Sequence, residues 1–129
     1  MRFAVLALLL GLASPAAAQL RDPMIGSRAL TDADLEKYVA ITAELTGAKA
    51  GIAAISSPEG MQQLRAATIK AVEKQGWGTL DYGVVDARMT AAFQHIRMEA
   101  TVPVPLEKKA DVELARKWKA RIDAAKARR

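Results

Sequence analysis

No cysteine occurs anywhere in the 129 residues. Disulfides, thiolate nucleophiles and cysteine metal sites are thereby excluded together, and stability has to come from packing. Histidine is almost as scarce, with His95 standing alone. Glu99, four residues on, shares a helical face with His95, but a transition-metal site needs several ligands and no second His or Cys can supply them. As a general base His95 lacks an evident nucleophile, because Ser27, Ser56 and Ser57 sit in linker or cap contexts. A phosphate loop, a GxSxG elbow and a dinucleotide fingerprint are all missing. Neither a metal nor a cofactor is expected. Period-two alternation, internal repeats and low-complexity tracts are lacking too, which removes the patterns of sheets and solenoids.

The one long apolar run, Phe3 to Leu12, lies at the very start. Arg2 precedes it, Ser14 and Pro15 follow it, and Ala16-Ala17-Ala18 offers small residues at both positions read by a signal peptidase. About ten apolar residues are too few for a membrane span of about twenty. Residues 1–18 therefore read as a signal peptide cleaved before Gln19, and the expected location is periplasmic or secreted. With no cysteine beside the cleavage site, lipidation there is excluded. The residues that remain, 19–129, are enough for one domain that buries about two-thirds of its unfolded surface.

Residues 19–30 carry Pro23 and Gly26 and no sustained period, the pattern of a flexible arm. A single helical domain is expected over 31–129. Thr31 caps the first helix with Asp34 in the capping-box position, and the acids Asp32, Asp34 and Glu36 suit its positive end. Leu35, Tyr38, Val39, Thr42 and Leu45 make its apolar stripe. From Ala43 to Ile55 small residues dominate, and the sequence leaves open whether one helix continues through them. Ser57-Pro58-Glu59 starts a second helix with Met61, Leu64, Ala67, Thr68, Ala71 and Val72 turned inward, and Gly76 closes it. Thr79 is placed as the cap of a third helix carrying Tyr82, Val85, Met89, Ala92 and Ile96. Val102-Pro103-Val104-Pro105 is a connector, and a last helix follows over 106–129 with Leu114, Trp118, Ile122 and Ala125 on one side. The fold class is all-α, a small four-helix bundle-like domain.

Charge is concentrated in that last helix. Glu107 to Arg129 holds nine Lys/Arg against four Asp/Glu, whereas Gln19 to Leu106 holds nine against ten. Lys108, Lys109, Arg116, Lys117, Lys119 and Arg121 are candidates for an anionic surface. A solvated face whose final turns suit the helix dipole is the simpler reading. Nucleic acid is set aside for a chain addressed for export, and only Trp118 could serve as a stacking platform. Trp77, Tyr82, Arg65, Arg88 and His95 form a second candidate surface for a ligand or partner. A cofactor-free enzyme gripping an anionic metabolite between Arg and Lys remains an alternative.

Gly76-Trp77-Gly78-Thr79-Leu80-Asp81-Tyr82, taken with the acid-rich start Leu30 to Glu36, resembles small exported all-helical proteins of Gram-negative bacteria. Those share a leader, a Leu-Thr-x-x-x-Leu helix start and a later Gly-aromatic-x-Ser/Thr-apolar-x-x-aromatic step. The resemblance spans Leu30 to Phe93 and departs at Gly83, where an aromatic is expected and Tyr82 stands beside it. It implies an exported helical domain and carries no catalytic residue with it. The expected role is a soluble periplasmic binding module for an unidentified protein or an anionic envelope component, with no transmembrane segment in the mature chain.

Overall fold

The computed structural model describes residues 20–127, so the expected leader lies outside the described residues. Four α-helices follow one another: α1 (Asp32–Ala50), α2 (Pro58–Lys74), α3 (Thr79–Met98) and α4 (Lys109–Ala127), the last entered through a 3₁₀ turn at Leu106–Lys108. There is no strand among the described residues, and the chain is an all-α, four-helix bundle-like domain.

Local chemistry sets the boundaries. The Asp34 N–H donates to Thr31 Oγ1, and the Thr31 N–H donates back to the Asp34 carboxylate at 2.8 Å, a reciprocal box on the orphan donors of the first turn. α1 runs straight through Gly47 and stops at Ala50, so the small-residue stretch does not form one helix to Ile55. Ser57 Oγ accepts the Gly60 N–H at 3.0 Å with Pro58 at the first helical position. Gly60 must stay bare there, because a Cβ would lie 1.9 Å from the Ala54 carbonyl oxygen. Gly76 ends α2 with φ +78°, a conformation that favours glycine. The cap of α3 is Gly78 rather than Thr79, displaced by one residue because Asp81, not a hydroxyl, accepts the Gly78 N–H.

The core lies where α1 faces α3 and α4. Leu35, Tyr38 and Ile41 meet Val85, Met89 and Ala92, with Val112, Ala115, Trp118 and Ile122 closing over them. Each such fully buried aliphatic side chain contributes about 1.5–3 kcal/mol. Tyr38 pairs with Asp86 and Thr42 with Tyr82, so α1 and α3 run antiparallel. α2 contributes only Ala71 and Val72 to this core, besides Trp77 just after it. Its start stands clear: Met61, expected to face inward, is 60 % exposed.

Residues 20–30 differ most from expectation. In place of a flexible arm, they form a strap lying along α3. Ile25 is fully buried, and the Arg21 and Asp22 N–H groups donate to the Asp81 carboxylate at 2.7 and 3.0 Å. Arg28 then bridges Asp22 and Asp34, tying the strap to the start of α1.

Candidate functional site

Arg88 was a candidate to hold an anionic ligand, and its partners are all internal. Nε and Nη2 donate to the two oxygens of Asp111 at 2.8 and 2.7 Å. Nη1 donates to the Ile25 and Arg28 carbonyl oxygens at 2.7 and 2.8 Å. A planar guanidinium presents its donors as a rigid fork, and here the fork joins strap, α3 and α4 at one point. The positive charge is neutralised by Asp111 and the side chain is mostly enclosed. Holding a substrate would require breaking this junction.

Tyr82 and Trp77 are likewise built into the body. Trp77 is buried, with the Lys37 ammonium 5.7 Å from its ring centre. Tyr82 lies half-buried against the Tyr38 ring, centroids 5.5 Å apart, and shares a 2.9 Å hydrogen bond with Thr42. The Tyr38 hydroxyl donates to Asp86 at 2.6 Å. Burial, then the bond to Asp86, pushes the Tyr38 hydroxyl well above the ordinary phenol range. Burial also raises Tyr82 against the opposing effect of Thr42. Both phenols therefore stay protonated near neutral pH, which removes them as general bases.

The remaining nominated pair is not gathered with Arg88. Arg65 is exposed on α2, a helix that takes no part in the Arg88 junction, and His95 is half-buried near the end of α3. Among the described residues, no three His, Asp or Glu side chains come close enough to hold a metal ion.

Much of the basic helix is answered from within. Arg116 pairs with Glu99, Lys117 with Asp32, and Lys119 with Asp123 one turn on. The Arg121 guanidinium lies over the Trp118 ring, 4.2 Å from its centre, while the Trp118 indole N–H donates to Asp32 at 2.8 Å. Such surface pairs stabilise weakly, about 0–1 kcal/mol each, but they compensate the charge. Lys108 and Lys109 differ: both are exposed and neither forms a salt bridge among the described residues.

Beside those two lysines lies a feature that periodicity does not reveal. Leu106 is 80 % exposed, the barest large apolar side chain described, and Val102 is 46 % exposed. The segment is nevertheless held in place. The Val102 N–H donates to the Met98 carbonyl, the Lys108 N–H donates to the Pro105 carbonyl, and Val104 packs on the core. The signal was present as two prolines fixing extended backbone, which keeps neighbouring side chains from folding under a helix.

No protein-family model matches the chain, and no curated protein or solved structure matches it either. Among the described residues, no helix is long and apolar enough to cross a membrane.

Proposed function

We propose that this chain is an exported helical binding module of the periplasm, acting by docking rather than by catalysis. One contrast carries the reading: the enclosed reactive groups, Arg88, Tyr38 and Tyr82, are engaged in internal bonds, while Val102 and Leu106 are left uncovered outside. A fold that buries its chemistry and exposes apolar side chains on a braced segment is suited to recognition. The competing reading, a cofactor-free enzyme for an anionic metabolite, needs a free cationic grip, and Arg88 would have to surrender Asp111 to provide one.

The reading is tested in cells by placing a photoreactive side chain at position 106 and illuminating. Discrete adducts, with N-terminal sequencing of the recovered protein beginning near Gln19, are expected. Absence of any adduct, or turnover of an anionic metabolite that is lost in Arg65→Ala or Arg88→Lys, would overturn it.

A further inference from the structure

The uncovered segment also has a chemistry that selects its partner. Val102 and Leu106 offer apolar surface, and Lys108 and Lys109 follow them along the chain, both exposed and neither in a salt bridge among the described residues. Leu106 and Lys109 are three residues apart across a 3₁₀ turn, where side chains at that spacing eclipse and point the same way. We infer that the Val102–Lys109 segment docks this protein onto an anionic phospholipid surface, the apolar pair entering the interface and the lysines meeting the headgroups. The proposal rests on the binding-module reading and moves the contact from the length of α4 to its entrance. The downstream cations Arg116, Lys117 and Lys119 already have carboxylate partners, and Arg121 is stacked on Trp118.

Charge complementarity favours lipid over an apolar protein groove. A groove accepting Leu106 would also have to desolvate Lys109 beside it, whereas at a membrane interface the lysine stem runs along apolar surface and its head stays wet. Two cations and a small apolar pair give weak, reversible attachment, far below that of a spanning helix. Each lysine near an anionic surface strengthens binding by about fivefold at modest ionic strength.

The test is co-sedimentation of the mature protein with vesicles of phosphatidylglycerol and phosphatidylcholine, and with phosphatidylcholine alone, at two salt concentrations. Wild type is expected to favour the anionic vesicles and to be released by salt. Lys108→Gln/Lys109→Gln should weaken that binding by about 25-fold at low salt, and Val102→Ser/Leu106→Ser should weaken it on both vesicles. Lys119→Gln/Arg121→Gln should leave it within about twofold, because those side chains are answered internally. All six sites are exposed, so circular dichroism should show each variant folded. Equal binding by wild type and the segment variants, or no binding to anionic vesicles, would overturn the lipid inference. If adducts at position 106 in cells are then to a protein, the binding-module reading stands and only its lipid partner falls. If there are no adducts of any kind, both fall.

Discussion

Replacing Arg88 by Met keeps the stem and deletes four hydrogen bonds at once. The consequence follows from what is left behind. Asp111 is largely buried and would retain its charge without a partner, while the Ile25 and Arg28 carbonyls would lose their donors. Removing one member of a buried ion pair costs about 3–5 kcal/mol, and the side chain here is slightly wetter than a deep interior one, so a loss of about 3–4 kcal/mol is expected. For a domain of this size that lowers Tm by roughly 15–25 °C. The double variant Arg88→Met/Asp111→Leu removes the stranded charge but not the stranded carbonyls. It should recover about half the loss, leaving the double variant about 2 kcal/mol more stable than Arg88→Met alone. Urea unfolding followed by tryptophan fluorescence is the direct assay, since Trp77 and Trp118 are both buried. A loss below about 1 kcal/mol for Arg88→Met, or a double variant no more stable than the single, would refute the view that Arg88 is a structural junction rather than a free cationic site.

Two further outcomes follow from the same framework. Asp81→Asn puts an amide donor opposite at least one of the Arg21, Asp22 and Gly78 N–H groups in a fully buried site, and should cost about 2–4 kcal/mol while deprotecting the Arg21 and Asp22 amides in hydrogen exchange; unchanged protection would count against the strap. Burial raises the Asp34 carboxyl, but the Arg28 pair and the Thr31 N–H outweigh it and hold the value below the ordinary carboxylate range. A depressed folded-state value means stabilisation that is present above the unfolded value and lost as pH falls through the folded one. Wild type should therefore lose more stability than Asp34→Asn between about pH 5 and the acid side of the ordinary carboxylate value of about 3.9, read from urea midpoints.

Helix boundaries were legible where a cap signal is local and carried by its own residue. Thr31 with Asp34, Ser57 with Pro58, and Gly76 each act within a few residues, and each stands where the pattern put it. The α3 cap slipped by one because Gly78 has no side chain to mark it and only the Asp81 half of the box is present, while a hydroxyl at Thr79 imitates the usual signal. The strap was illegible for a different reason. Ile25 and Leu30 have no periodic companions, and their anchors are a carboxylate and a guanidinium about sixty residues away. Long-range polar contacts of this kind leave no spacing to read. The same holds for Arg88, whose sequence neighbourhood is that of any surface arginine, and for the lysines of α4, whose carboxylate partners include Asp32 on the far side of the chain. Met61 failed the helical pattern because α2 leans on the core only through its last turns.

The distance between the strap and its anchors also sets an order in time. Arg21 and Asp81 are separated by 60 residues, and Arg88 and Ile25 by 63. Local helices close early, whereas contacts of high sequence separation wait for the intervening chain to be organised. The strap is made before α3 during synthesis and can dock only after α3 exists. The chain must therefore carry Ile25 without its native cover until more than half of its length has been made.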